Sequence, residues 1–321
     1  MAFLPAPKVS KTELEDHILR NFDLGKIVSY KKLKKGLVNC LYHIKTTKGN
    51  FALKIAIRHN SNKINYEIDL LNSIKGLPVP KLLKTKNGKY FFNYKGHRTL
   101  VYPFLSGKEE REFTNKMLFE VGEFLGKLHL QTEGFKSSIK RTDFYGISSS
   151  NIKRVVERSR QQKNLKIKKA VLYLKENALK YKLPTSLPNG AMHIDLKPEN
   201  TLFRNGKLTG VVDFDNSYNG PLIFDLADTF AWFCSKNGKF NIDGAKTIYI
   251  GYTSVRKLTR NEKQSLFNAL HRVFCAIVLC GIDYLNQNKL PEKYILWAID
   301  NLLGTQKNFK IAKEKFQKIF C

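Results

Sequence analysis

Five cysteines in 321 residues, at positions 40, 234, 275, 280 and 321 and without any Cys-x-x-Cys spacing, offer neither a zinc cage nor a disulfide framework. A reducing cytoplasm is the expected setting. No apolar run approaches the roughly 20 residues needed to cross a bilayer, and the longest, Val273 to Ile282, reads as a buried helix. The opening Met-Ala-Phe-Leu-Pro-Ala-Pro is too short and too proline-rich for an export signal. Acids are scarce, 27 against 56 basic residues, which leaves a net charge of +29. Arginine is scarce as well: 12 arginines stand beside 44 lysines spread along the chain, and arginine is the better bidentate reader of phosphate. With no nucleic-acid motif to organise them, clusters such as Lys166 to Lys169 and Lys307 to Lys318 read as solvated helix faces, and the excess charge as an attraction for anionic nucleotides. No specific nucleic acid and no membrane are expected as partners. What the chain has is 42% hydrophobic and 12% aromatic content, enough to exclude disorder and to fill the cores of two lobes.

The informative segment is His193-Ile-Asp-Leu-Lys-Pro-Glu-Asn200, followed by Val211-Val-Asp-Phe-Asp215. Phosphoryl transfer through a loose transition state asks a protein mainly to position groups and neutralise charge, so few residues suffice. In H-x-D-L-x-x-x-N, Asp195 would orient an acceptor hydroxyl and take its proton, while Asn200 turns toward a metal ion. The run from Thr201 to Val212, with Asn205-Gly206 at its tip, predicts a β-hairpin whose second strand returns Asp213 to the same ion. Asn200 and Asp213 suffice for Mg²⁺, which keeps much of its water and also binds substrate phosphates.

This chemistry calls for a lysine on an earlier strand and a glutamate on the next helix. Phe51 to Ile57 alternates with period two and carries Lys54 opposite the Phe51, Leu53, Ile55 and Ile57 face. Ile64 to Ile74 reads as a helix that sets Glu67 beside its apolar stripe, where it can pair with Lys54; Asp69 points away. The phosphate-covering loop is reduced to Lys34-Lys35-Gly36, with Gly36 the one glycine where protein kinases carry three. Leu100 to Phe104, with Tyr102 at its centre, is the strand whose backbone would meet an adenine edge. Lys197 is a candidate for a terminal phosphate.

After Asp213 only a few residues precede the helix near Pro221, with no A-P-E sequence, and Ile194 stands where an arginine often precedes the catalytic aspartate. A protein substrate is thereby disfavoured. Asp225 is expected to hydrogen-bond the loop backbone or to cap its own helix. Asp215 is left between a second metal ion, a substrate ammonium and a solvated turn. His129 and His193 read as structural, and Arg141 as a surface arginine or a partner for an acceptor carboxylate.

The expected fold is α+β and bilobal: residues 1–105 form an antiparallel-sheet lobe for ATP, residues 106–321 a mostly helical lobe with the acceptor site. A capping box at Ser10 and Glu13 predicts a helix over Lys11 to Asn21. Strands are expected near 28–34, 40–46 and 51–57, and a hairpin pair near 81–94 around Asn87-Gly88. Helices follow near 114–131, 151–181, 221–235, 260–288 and 291–319.

Gly36-Leu-Val-Asn39-x-x-Tyr42, Gly76-Leu-Pro-Val-Pro80, Leu100-Val-Tyr-Pro-Phe-Leu-Ser-Gly107, Gly126-Lys-Leu-His129, the catalytic loop and Asp225-Leu-Ala with Trp232-x-Cys234 together resemble the homoserine kinases of the aminoglycoside phosphotransferase and choline kinase superfamily. The resemblance covers most of the chain and thins after about residue 240. It implies a protein-kinase-like fold, MgATP as donor, a small amino-containing alcohol as acceptor, Asp195 as the catalytic carboxylate, and Asn200 and Asp213 as metal ligands. Homoserine is the first acceptor to expect, with an aminoglycoside or choline-type acceptor as the rival enzyme reading and a basic nucleic-acid-binding module as the third. Lys197-Pro-Glu departs from that family, which more often carries an aromatic there, and so does the extra acid Asp215.

Overall fold

Ser10 opens the first helix by accepting a hydrogen bond from the Glu13 N–H at 3.2 Å, while the Glu13 carboxylate accepts from the Ser10 N–H at 3.2 Å. Two of the helix's otherwise orphaned donors are thus satisfied by residues adjacent in sequence. The computed structural model describes residues 9–33, 39–57, 61–139, 141, 147–309 and 311–320. Its first part runs α1 (Lys11–Asn21), β1 (Ile27–Leu33), β2 (Asn39–Thr46), β3 (Gly49–Ala56), α2 (Ser61–Ser73), β4 (Phe92–Tyr94) and β5 (His97–Pro103). The five strands form one antiparallel sheet in the order β1-β2-β3-β5-β4.

Leu14 and Ile18 on α1, with Phe22 just past its end, pack on one sheet face against Ile44, Leu53, Ile55 and Val101. Burying each such side chain contributes about 1.5–3 kcal/mol. The other face receives α2 through Ala56, Ile64, Ile68 and Leu100. Lys54, central on β3, therefore projects toward α2 instead of solvent.

The hairpin expected around Asn87-Gly88 is a correction. Those residues make only a tight turn, with the Gly88 N–H donating to Thr85 O at 2.8 Å, and Leu83 gives its N–H to Val101 O at 2.8 Å. The hairpin instead joins β4 to β5 across Lys95 and Gly96, whose φ angles of 47° and 79° are those of a tight hairpin turn. A lysine in the left-handed region is an unusual turn former, which is why the pattern favoured Asn-Gly.

The rest of the chain is mostly helical: α3 (Asn115–Thr132), α4 (Ser149–Arg158), α5 (Leu165–Asn177), β6 (Asn189–Met192), β7 (Thr201–Arg204), β8 (Lys207–Val211), β9 (Tyr218–Pro221), α6 (Leu222–Cys234), β10 (Ser235–Lys236), β11 (Lys239–Phe240), α7 (Ile242–Val255), α8 (Arg260–Asn286), α9 (Glu292–Ala298), a π-helical turn (Ile299–Leu303), α10 (Gly304–Asn308) and α11 (Lys313–Phe320). The single helix expected over 151–181 is two, because Asn164 accepts from the N–H groups of Lys166 and Ile167 and restarts the chain as α5. The helix expected over 291–319 is likewise broken by the π turn and by the gap before α11. Helix α7 escaped the sequence reading altogether. It packs on α3 through glycines: a Cβ at Gly122 would lie 2.0 Å from Ile248 O, and one at Gly251 2.1 Å from Phe119 O. Only hydrogen fits at either position.

Helix α8 is long and apolar enough to cross a membrane by length and composition, yet 78% of its most apolar window is buried within the protein. Phe274, Val278 and Ile282 are fully enclosed, and the helix is the axis of the largest core.

Candidate active site

Two short antiparallel ladders assemble the site. Strand β6 pairs with β9, Met192 opposite Tyr218, which brings the loop after Met192 beside the segment before Tyr218. Strand β7 pairs with β8 across Asn205 and Gly206, both at positive φ, so the chain leaves Asn200 and returns at Val212, whose N–H donates to Asn200 O at 2.9 Å. Asp195, Asn200, Asp213 and Asp215 thereby meet at one place.

Asn200 is buried and donates its side-chain amide to the Asp195 carbonyl at 2.8 Å and to the Asp195 carboxylate at 3.3 Å, leaving its amide oxygen as the acceptor it can offer a cation. Asp213 adopts the left-handed conformation, φ 69° and ψ 61°. Its side chain is exposed. Partial desolvation by the surrounding protein, then the charge of Asp215, raises its carboxyl to about 7. An open carboxylate crowded by like charge is what a hard cation relieves, so the donor set fits Mg²⁺. Among the described residues no three acid, histidine or cysteine side chains could hold a metal ion by themselves, so such an ion would draw its remaining ligands from phosphate and water.

Lys54 is buried and donates to both Glu67 oxygens at 2.7 and 2.9 Å, and also to Asp215. Burial opposes its charge, but Asp215 and Glu67 hold its pKa well above the ordinary lysine value. Burial, followed by the nearby Asp215 charge, pushes the Glu67 carboxyl upward against the pull of Lys54. Asp215 also accepts from the Asn39 amide. At 5% exposure Asp215 is no solvated turn residue, and that option falls away.

Asp225 accepts three hydrogen bonds inside the protein: from the N–H groups of His193 and Ile194, each at 2.7 Å, and from His129 Nε2 at 3.0 Å. It caps no helix. Ile194, one residue before Asp195, sits at φ 51°, a costly conformation for a β-branched residue. His129 Nδ1 meets the Tyr252 hydroxyl at 2.8 Å, and Arg256 links that hydroxyl to Glu262. This chain of buried polar groups holds the strained loop from behind. His193 donates from Nε2 to Val212 O at 3.1 Å, and burial lowers its pKa, so it braces the loop as a neutral ring.

Residues 29–258 match the phosphotransferase enzyme family. The chain belongs to that family. It is, accordingly, an ATP-dependent small-molecule kinase. Homoserine kinase of Rhodopseudomonas palustris is 30% identical over 267 residues, 80% of this chain and 79% of that one. Homoserine kinase of Agrobacterium fabrum is 30% identical over 268 residues, 79% of this chain and 81% of that one. Among solved structures, spectinomycin phosphotransferase with ADP and spectinomycin superimposes with a TM-score of 0.65 at 15% identity over 98% of both chains. Amicoumacin kinase hAmiN with AMP-PNP, Ca²⁺ and Ami gives 0.67 at 16% identity over 97% of this chain and 94% of that one. At such identities the likeness speaks for the fold, which is protein-kinase-like.

Of the residues singled out from the phosphotransferase sequence, Gly36 lies outside the described residues. Tyr102 is buried on β5 opposite Ala52, two positions from Lys54 along β3. Lys197 donates to both Asp195 oxygens, at 2.8 and 2.9 Å, and lies 5.2 Å from the centre of the Trp232 ring. Burial works against its charge, and Asp195 raises its pKa all the same. Arg141 is half-buried, not a free surface arginine: it donates to Ser217 O and lies 5.4 Å from the centre of the Tyr66 ring.

Sequence reasoning passed over Asp228. It is fully buried, and among the described residues neither carboxylate oxygen makes a hydrogen bond of full geometry. Burial, then the charges of Asp195 and Asp225, keeps its pKa well above the ordinary carboxylate range. The signal was available, since Asp228 is an acid in the run Leu-Ile-Phe-Asp-Leu-Ala-Asp-Thr-Phe-Ala-Trp-Phe-Cys, apolar enough that any acid within it needs a reason.

Proposed function

We propose that this phosphotransferase transfers the γ-phosphoryl group of MgATP to the hydroxyl of homoserine, yielding O-phosphohomoserine and ADP. The observation that carries the acceptor is the likeness, across about four-fifths of each chain, to proteins named homoserine kinase. The convergence of Asp195, Asn200, Asp213 and Lys54 supports the chemistry.

Asp195 orients the acceptor hydroxyl and takes its proton as the oxygen attacks phosphorus. Asn200, through its amide oxygen, and Asp213 would hold Mg²⁺, which when bound would supply neutralisation of phosphate charge. Lys54, fixed by Glu67 and Asp215, meets the α/β-phosphates, and Lys197 turns from Asp195 toward the γ-phosphate. The backbone around Tyr102 meets the adenine edge. Residues 1–105 form the nucleotide lobe and 106–321 the acceptor lobe, in a cytoplasmic enzyme. Arg141, held close to the catalytic segment by Ser217, supplies the cation that a carboxylate-bearing acceptor needs.

The test is MgATP-dependent ADP release with homoserine, choline, an aminoglycoside or no acceptor. Homoserine should accelerate release selectively. Asp195→Ala should abolish that turnover while MgATP binding persists, and Asp213→Ala should lose metal-dependent nucleotide binding. Turnover surviving both changes would sink the site assignment, and acceleration by choline or the aminoglycoside alone would replace homoserine.

A further inference from the structure

Asp228 presents a problem in physical terms. A buried carboxyl with neither oxygen hydrogen-bonded is rare, because its desolvation is uncompensated. It sits one turn beyond Asp225, which grips the catalytic loop, and one turn before Trp232, whose indole N–H also lacks a partner. The Trp232 indole N–H is the neutral donor that bears on the Asp228 carboxyl, at the edge of hydrogen-bond geometry. Asp195 and Lys197 are close enough for their charges to act on Asp228. This corner therefore holds three acids, Asp195, Asp225 and Asp228, and one cation whose charge reaches Asp228, Lys197. Asp225 is taken up by the loop backbone and His129, and Lys197 is committed to Asp195 through both oxygens.

We infer that Asp228, with the Trp232 ring beside it, is the subsite that receives the acceptor's protonated amine. An ammonium there donates to the two orphaned oxygens and lies against an aromatic face, the pairing that recognises organic cations in dry surroundings. The Asp195 carboxylate, whose charge reaches Asp228, then stands toward the hydroxyl end of the same molecule, which suits an alcohol with its amine a few bonds away. Entry requires Lys197 to swing aside. Its ammonium is held by Asp195 and lies over the Trp232 ring, and four rotatable side-chain bonds permit the movement. The subsite rests on the reading that the hydroxyl beside Asp195 belongs to an amine-bearing acceptor, but it does not depend on that acceptor being homoserine.

The experiment compares wild type, Asp228→Asn and Asp228→Leu, each with MgATP and one of three acceptors: homoserine, 3-aminopropan-1-ol, which lacks the carboxylate, and 4-hydroxybutanoate, which lacks the amine. Wild type should prefer the two amines. Asp228→Asn should lower kcat/KM for both amines on the order of 100-fold, as truncating one partner of a buried charge pair does, and leave the hydroxy acid nearly unaffected. Thermal unfolding supplies the independent readout: with an uncompensated acid removed, Asp228→Leu should melt at a higher temperature than wild type. No preference for amines in wild type overturns the subsite, as does equal loss on all three acceptors together with a lower Tm in both variants. Use of homoserine with amine preference intact in Asp228→Asn overturns the subsite and spares the homoserine reading. Use of 3-aminopropan-1-ol but not homoserine, lost in Asp228→Asn, does the reverse.

Discussion

Asp225→Asn is the perturbation whose outcome the structure specifies most closely. The wild-type carboxylate accepts from two backbone N–H groups and one imidazole, with no solvent at the site. Asparagine offers one oxygen and replaces the other with a donor. At least one of the three N–H groups then faces another donor, and the contacts that survive lose their charge. Hydrogen bonds to a charged group contribute about 1.5–3 kcal/mol each and an orphaned buried donor costs about 1–3 kcal/mol, so a loss of about 4 kcal/mol is expected. With an unfolding entropy of about 2.1 cal/mol/K per residue, that corresponds to a fall of roughly 6 °C in Tm for a chain of this length. Activity should fall further than stability does. The two backbone bonds hold Ile194 in its left-handed conformation, and once they weaken the loop can relax and carry Asp195 off its position. Differential scanning fluorimetry and steady-state turnover read the two effects. A Tm within 1 °C or so of wild type, or kcat unchanged in a protein that has lost those degrees, would refute the reasoning that this carboxylate braces the loop.

Gly251→Ala should destabilise by about 3 kcal/mol or more, because the new methyl would meet the backbone of α3 at Phe119 O, which cannot rotate away. Gly281→Ala is the control: its methyl meets only the flexible tip of Ile295 at 3.0 Å, and urea unfolding should find it near neutral. His271 gives a pH prediction. It is buried among Tyr181, Phe267 and Phe309, its Nε2 has no partner among the described residues, and burial pushes its pKa down to about 4. The unfolded chain binds this proton first, so the stability is complete above about pH 6.5 and is lost as pH falls toward 4, by about 3 kcal/mol in all. Urea midpoints at pH 7, 5.5 and 4.5 should fall more steeply for wild type than for His271→Phe. Parallel curves would count against it.

The meeting of the acidic and amide side chains proposed for transfer was legible because it is local. Asp195, Asn200, Asp213 and Asp215 fall within 21 consecutive residues, and the hairpin between them announces itself by Asn205-Gly206. The Lys54 to Glu67 pair was legible for a related reason: a period of two on β3 and of 3.6 on α2 dictate which side chains face each other once the elements pack. Where sequence failed, tertiary context had overridden local preference. Lys95 accepts a left-handed turn because β4 and β5 pair around it, and α7 shows little of an ordinary amphipathic pattern because its contact with α3 is made by glycines. Asp215 could not be placed from sequence, since a buried acid and a solvated turn acid look alike until Lys54 is seen beside it.

The acceptor side resisted reading for a different physical reason. The groups proposed for it come from distant stretches, Arg141 from the loop after α3, Lys197 from the catalytic loop, Asp228 and Trp232 from α6, with Trp297 of α9 stacked on Trp232 at 6.0 Å. No spacing rule joins them, because phosphate chemistry is common to all such enzymes while the acceptor's shape is not. What sequence does offer there is a violation: an acid in an apolar helix, tolerable only with a partner. Among the described residues neither oxygen makes a hydrogen bond of full geometry. On the subsite proposed for it, the group is kept at a cost in stability, and that cost makes the proposal testable by a melting temperature as well as by turnover.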